Sequence, residues 1–193
     1  MDIRELAVAG AYAFTPVIHR DERGEFLEQY RFEALAEAVG TVPEWRQTNV
    51  SRSARGVLRG IHYSIAVPGQ AKYVTVVTGR AVDYVVDLRP GSPTYGRWDS
   101  VELETGACRA VFVPSGVGHA FLALEDETAM TYLCSEVYDP EAEKGVSPFD
   151  PEIGLAFPIP REELVVSPRD AGAPSLAEAL AAGHVRRYDG SAL

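Results

Sequence analysis

Residues 58–74 read LRGIHYSIAVPGQAKYV, two β-rich pieces separated by Pro68-Gly69. The pattern predicts a β-hairpin turning near Val67, with His62 and Lys72 as cross-strand neighbours on one face. A histidine inside a small β-barrel commonly binds a metal, but a lysine facing it would repel the ion. The pair therefore asks for another chemistry.

The flanking sequence sets the architecture. From Trp45 to about Tyr138 turn signals recur at short intervals: Thr78-Gly79, Pro90-Gly91-Ser92-Pro93, Glu104-Thr105-Gly106 and Pro114-Ser115-Gly116. Between them lie β-rich runs at 73–77, 80–88, 98–103, 110–113, 121–124 and 130–138. Short strands at such spacing indicate an all-β sandwich or barrel, with no α/β alternation. Before this region, residues 11–18 and 25–30 read as extended, 19–24 (HRDERG) as a charged turn, and Phe32 to Val39 as a helix stopped by Gly40. After Pro140 the chain is loop-like until a helix at Ser175 to Ala182, where Ser175 and Glu178 form a capping box and Gly183 ends the run. A single domain over 1–193 is expected.

Bulk properties exclude several classes. The chain has 193 residues, 46% of them hydrophobic, and a net charge of −10, with mean hydropathy near zero and a pI of about 4.9. No apolar run approaches a membrane span, and MDIRELAVAG lacks the basic and apolar regions of a signal peptide. No membrane association is expected, and the cytoplasm is the expected compartment. Nucleic-acid binding is disfavoured because no basic stripe is present to neutralise phosphates. Cys108 and Cys134 form no CxxC motif and read as two buried thiols. An anionic ligand would need a few locally placed cations.

Alternation along Met130 to Tyr138 (MTYLCSEVY) puts Met130, Tyr132, Cys134, Glu136 and Tyr138 on one face. With His62 and Lys72, that face supplies a base, a cation and a phenol. Those parts suit enolisation of a carbon acid beside a ketone. An imidazole, ordinarily titrating near ~6.5, takes the proton at neutral pH. A cation holds the developing enolate oxygen, and a second acid on the opposite face returns the proton with inversion. His62 also needs a carboxylate to fix its tautomer; Asp83 and Asp170 are both candidates.

Residues 114–121, PSGVGHAF, contain P-x-G-x-x-H, which resembles the second motif of the cupins, small double-stranded β-helix barrels. The first cupin motif would need two histidines and a glutamate, and only His62 is offered. Two imidazoles do not complete a transition-metal site. More specifically, the chain resembles the dTDP-4-dehydrorhamnose 3,5-epimerase family. The matching pieces are DERGEF (21–26), QTNVSRSARGVLRGIHY (47–63), QAKYVTVVTGRAVDYVVDLRPGSPTYGRW (70–98), VPSGVGHAFLALED (113–126), TYLCSEVY (131–138), DPEIGL (150–155) and VSPRD (166–170).

That resemblance implies a cupin-like jelly-roll barrel with a few short helices and a dTDP-4-keto-6-deoxyhexose substrate, inverted at C3, C5 or both without metal or cofactor. It implies His62 as base, Tyr132 as opposing acid, Lys72 at the C4 oxygen and Asp170 as the partner of His62. Arg23, Arg59, Gln47 and Asn49 match diphosphate- and nucleotide-binding positions, where guanidinium groups suit phosphate. Phe26 lies in the matching DERGEF segment and is taken with the binding residues. Glu28 matches a thymine-recognising position and Tyr138 the ring that stacks on the base. His119 is expected against the sugar or its phosphate, and Glu143 and Arg169 match further substrate contacts. Family members are homodimers in which the N-terminal segment, about residues 1–45 here, packs on the partner. Departures at Ala71, Val137, Phe157 and Pro168-Arg169 resemble the branch that makes deoxysugars for antibiotics, which includes members that invert only C3 or only C5.

Taken singly, most of these residues have blander readings. One strand histidine is usually structural, Tyr132 and Tyr138 would serve as core aromatics, and Arg23 and Asp170 as surface and cap residues. His62 differs, because Lys72 and Arg59 nearby would be two cations costly to bury without an anion. The competing hypotheses are a metal-dependent cupin enzyme, which requires stoichiometric metal, and a non-catalytic sugar-nucleotide-binding barrel.

Overall fold

A computed structural model describes residues 1–190. The chain opens with β1 (Asp2–Glu5) and β2 (Tyr12–Thr15), then β3 (Ile18–Asp21) and β4 (Gly24–Leu27), and helix α1 (Phe32–Val39). Strands β5 (Gln47–Ser53), β6 (Val57–Ser64), β7 (Lys72–Thr78), β8 (Arg80–Val86) and β9 (Trp98–Glu104) follow. Then come β10 (Ala110–Val113), β11 (Gly118–Ala123), β12 (Thr128–Cys134) and β13 (Glu143–Gly145). A 3-10 turn (Arg161–Glu163), β14 (Val165–Val166), α2 (Pro168–Ala171) and α3 (Leu176–Ala181) complete it.

Two sheets form the body. One has strand order β1-β2-β10-β7-β12-β5, the other β13-β6-β11-β8-β9 with β14 also on β6; among the described residues β3 and β4 pair only with each other. The two large sheets make a cupin-like jelly roll. Inward residues such as Val74, Val76, Val85, Phe121 and Met130 pack into one buried cluster between the sheets. The outer face of the first sheet is covered by α1, whose Leu35 joins Phe14, Tyr73 and Phe112. The outer face of the second is covered by the C-terminal segment, where Leu176 and Ala179 of α3 meet Tyr63 and Tyr84.

The helices form where their caps require. Leu35 is the fully buried residue of α1, and Gly40 closes it at φ +76°. The Ser175–Glu178 capping box starts α3. Several boundaries differ from the sequence reading. His19 to Asp21 are strand, with the turn at Glu22-Arg23, and β12 ends at Cys134, so Glu136 and Tyr138 lie beyond it.

The larger correction concerns residues 58–74. They do not form a hairpin. Strand β6 belongs to the second sheet, flanked by β11 on one side and β13 and β14 on the other, whereas β7 lies in the first between β10 and β12. With both edges of each strand already paired, β6 and β7 cannot pair with each other. Residues 65–71 carry the chain across from one sheet to the other. His62 and Lys72 therefore come from opposite walls.

The pairing of β6 with β11 contains a register shift. His119 pairs with His62 and Phe121 with Arg59, so Gly60-Ile61 together oppose Ala120. Gly60 sits at φ +114°, and a Cβ there would lie 2.5 Å from the His119 carbonyl oxygen. The Gly60–Ile61 and Val67–Pro68 peptide bonds are cis. Because of the close approach to the His119 carbonyl, Gly60→Ala should cost more than the order of 1–3 kcal/mol typical of a strained backbone position alone. Gly91, at φ +90° with open space around its Cβ position, supplies the control. Urea unfolding midpoints should show Gly60→Ala clearly less stable than Gly91→Ala; equal midpoints would contradict the close approach.

Candidate active site

A cavity of about 240 Å³ opens between the two sheets. Arg59, His62 and His119 enter it from the second sheet, and Lys72, Tyr132 and Cys134 from the first. Arg59 and His62 differ by three residues, an odd number, so a regular strand would point them to opposite faces. The extra residue at Gly60 restores them to the same face.

His62 Nε2 lies 2.7 Å from Asp170 Oδ1. The other carboxylate oxygen, Oδ2, accepts the Gly60 N–H at 3.2 Å, a donor freed by the register shift. Local sequence explains how Asp170 reaches this point. Val165 and Val166 pair in parallel with Val57 and Leu58. Ser167 then caps α2, Pro168 fits its first turn, and Asp170 is the buried residue of that helix. Burial pushes the Asp170 carboxyl up, but the hydrogen bond and charge of His62, the Gly60 N–H and the Ser167 hydroxyl outweigh it. The net effect holds Asp170 below its ordinary value. An ionised Asp170 accepts, so Nε2 of His62 carries a proton and Nδ1 is the basic nitrogen of the neutral ring.

A second imidazole–carboxylate pair lies deeper. His119 Nε2 is 2.6 Å from Asp83 Oδ1, and both residues are buried. Burial raises the Asp83 carboxyl despite His119 and Lys72 nearby, and its Oδ2 has no hydrogen-bond partner among the described residues. Both aspartates thus serve histidines, Asp170 for His62 and Asp83 for His119. The His119 and Tyr132 rings meet edge to face, centroids 6.1 Å apart.

Tyr132 projects from β12 with its hydroxyl 2.9 Å from that of Ser51 on β5. Burial raises its phenol well above the ordinary value, with the Ser51 bond only partly opposing this. A phenol so placed stays protonated at neutral pH. Arg59 donates to Ser53 Oγ at 3.2 Å and to the Arg52 carbonyl at 3.3 Å. Neither Arg59 nor Lys72 has a carboxylate at ion-pair distance among the described residues, which suits the cavity to an anion. No three His, Cys, Asp or Glu side chains among the described residues group as metal ligands.

The dTDP-4-dehydrorhamnose 3,5-epimerase family model matches residues 5–178. The chain belongs to that family. A dTDP-4-dehydrorhamnose 3,5-epimerase of Mycolicibacterium smegmatis is 50% identical over 184 residues, covering 95% of this chain and 90% of that protein. The rmlC epimerase of Mycobacterium tuberculosis superposes with a TM-score of 0.95 at 43% identity, covering 98% of this chain and 95% of that one. ChmJ, a 3'-monoepimerase from Streptomyces bikiniensis in complex with dTDP-quinovose, gives 0.89 at 45% identity, covering 94% and 91%.

Not every residue expected from the epimerase family reaches the cavity. Gln47, Asn49, Tyr138 and Glu143 line it, with Gln47 donating to Asn49 at 2.8 Å and accepting from the Tyr138 N–H at 2.8 Å. Arg23 and Phe26 lie on the exposed β3–β4 hairpin, which lines a separate groove; Arg23 pairs there with Asp21. Glu28 is exposed and ion-paired with Arg31 at 3.2 Å. Arg169 points into a second cavity behind Asp170. The α2 turn that buries Asp170 turns its neighbour away.

Val50, Ser51, Gln70 and Phe121 also line the cavity and escaped the sequence reading. Ser51 follows Gln47 and Asn49 at alternate positions of β5, but Thr48 and Arg52 between and beyond them are polar too, so QTNVSRS carries no period of two that could have singled it out.

The Asp170 carboxylate carries a pH signature. Its folded value lies below the unfolded ~3.9, so its charge contributes stability above that pH and loses it as pH falls through the folded value. Asp170→Asn lacks this contribution. The difference in urea midpoint between wild type and variant should be widest above about pH 5 and shrink as pH falls below about 4. A pH-independent difference would count against an ionised Asp170.

Proposed function

We propose that the protein inverts C3, C5 or both of a dTDP-4-keto-6-deoxyhexose, serving deoxysugar biosynthesis of the antibiotic type. The observation that carries this reading is the meeting, in one cavity, of the Asp170-held His62 with Lys72 and Tyr132 from the opposite sheet. His62 removes the proton beside the C4 ketone. The Lys72 ammonium holds the negative oxygen of the enolate, where a fixed charge in a partly dry site is most effective. Tyr132 then returns a proton to the other face of the carbon, which is inversion. Arg59 faces the diphosphate, Gln47 and Asn49 the nucleotide, and Tyr138 the base. Glu143 and His119 complete the sugar's surroundings.

Proton NMR in heavy water with dTDP-4-keto-6-deoxyglucose tests the chemistry. Deuterium should enter at C3, C5 or both, and the spectrum reads which. His62→Ala should slow exchange on the order of 10²–10⁴-fold, while calorimetric affinity for dTDP stays within about threefold, a difference below 1 kcal/mol. Absence of exchange in the wild-type enzyme would sink the reading. Binding without exchange would favour the non-catalytic alternative.

We further propose a cytoplasmic homodimer in which the β3–β4 arm brings Arg23, Phe26 and Glu28 to the partner's cavity. Phe26 is 70% exposed, and among the described residues the arm pairs with no other strand of its own chain. The free thiols Cys108 and Cys134 fit a reducing compartment. Light scattering after size exclusion should give twice the chain mass of 21.0 kDa. Phe26→Asp should weaken the dimer and dTDP binding together. A monomer with full dTDP affinity would refute the arm exchange.

A further inference from the structure

The Tyr132 phenol has one hydrogen-bond partner among the described residues, the hydroxyl of Ser51. Ser51 in turn lines the cavity, is partly exposed, and makes no other side-chain hydrogen bond among the described residues. We propose that Ser51 is a positioning residue for Tyr132 and the route by which the phenol recovers its proton from water. This rests on the epimerase reading, in which Tyr132 gives up a proton in each turnover.

The geometry supplies what such a relay needs. Tyr132 is on β12 and Ser51 on the adjacent β5, where Ser51 pairs with Met130 and Tyr132 with Asn49. The two hydroxyls therefore meet on a diagonal of two rigidly paired strands, with both side chains turned inward. A hydroxyl is at once donor and acceptor. It can give its proton to the phenolate while taking one from a cavity water, and no charge need stay on serine. β5 is the edge strand of its sheet, so this end of the cavity lies at a margin of the barrel. The His119 ring meets the Tyr132 ring edge to face and is bonded to Asp83.

The proton balance closes. The substrate C–H proton goes to His62 and leaves as His62 releases it to solvent. The Tyr132 O–H proton goes to carbon on the opposite face. The Ser51 O–H proton goes to the Tyr132 phenolate, and water restores Ser51. One proton leaves on the imidazole side and one enters on the phenol side, so the enzyme ends each turnover as it began. The raised phenol agrees with this arrangement: a tyrosinate left without a donor at this site would persist poorly and would need immediate reprotonation.

Ser51→Ala separates the two half-reactions. In heavy water with a dTDP-4-keto-6-deoxyhexose, the variant should still label the carbon through His62, at a rate within about twofold of wild type. Inversion should fall by about tenfold or more, so label accumulates with retained configuration. Ser51→Thr keeps the hydroxyl and should bring inversion back to within about threefold of wild type. Ser53→Ala, the next inward residue on β5, should raise KM through Arg59 without changing the ratio of exchange to inversion. Thermal melting followed by circular dichroism, superposable on wild type, verifies that Ser51→Ala is folded. An unchanged ratio in Ser51→Ala would overturn the proposal, as would an equal fall of exchange and inversion or failure of Thr to rescue. A wild-type protein with no exchange at all would instead overturn the epimerase reading itself.

Discussion

The register shift at Gly60 is the constraint on which the site depends. Strand β6 must present Arg59 and His62 to the same interior, which a regular pleat forbids for residues three apart. Inserting one residue against Ala120 solves the parity problem and lets Ile61 and Tyr63 stay in the outer core. The displaced Gly60 N–H would be an orphan inside the protein, and Asp170 accepts it. The same carboxylate holds His62. One backbone irregularity thus sets the direction of the base, provides a donor to its carboxylate, and fixes where the late VVSPRD segment must dock.

Electrostatically, the two carboxylates beside the two histidines have opposite characters. Asp170 is surrounded by donors and is held below its ordinary value. Asp83 has, among the described residues, one side-chain partner and an unbonded oxygen; it is fully buried and is raised. Pairs of titratable groups driven apart by environment mark a division of labour. A firmly charged Asp170 suits His62 to receive and release a proton, because the imidazolium meets a fixed anion. Asp83 offers His119 a weaker counter-charge, which suits that ring to bond and orient. In a chain of net charge −10, Arg59 and Lys72 make the cavity a local exception that an anionic sugar nucleotide fits.

Much of this was legible in residue order. Helix α1 and the capping box of α3 fell where their stop and start residues stand, and the strand runs from Tyr73 to Cys134 followed turn signals closely. Inward alternation of Met130, Tyr132 and Cys134 came directly from the pleat. The hairpin at 58–74 did not hold, because a jelly roll exchanges chain between sheets and turn chemistry at Pro68-Gly69 is the same for a hairpin and an arch. Local pattern cannot tell which strand edges remain free; that is decided by β10, β11, β12 and β13, all later in sequence. His62 and Lys72 nevertheless line the same cavity, for the reason that both point into a common interior. Asp170 over Asp83 lay equally beyond periodicity, since the parallel pairing of Val165-Val166 with Val57-Leu58 links segments over a hundred residues apart.

The edge strand β5 bears directly on the proposed homodimer. Its inward residues are polar throughout and serve the cavity: Gln47 and Asn49 bond each other, Ser51 holds Tyr132, and Ser53 holds Arg59. Val50 is 65% exposed on this strand, one edge of which is unpaired among the described residues. An open strand edge can pair with another strand, and proteins that keep one generally cover it. The β3–β4 arm has the complementary problem, two strands with an exposed Phe26 and no sheet of their own to join. In the proposed dimer, joining arm to edge between two copies would relieve both, and would carry Arg23 and Glu28 toward Gln47 and Asn49 of the partner's cavity. Assembly and completion of the site would then be the same event.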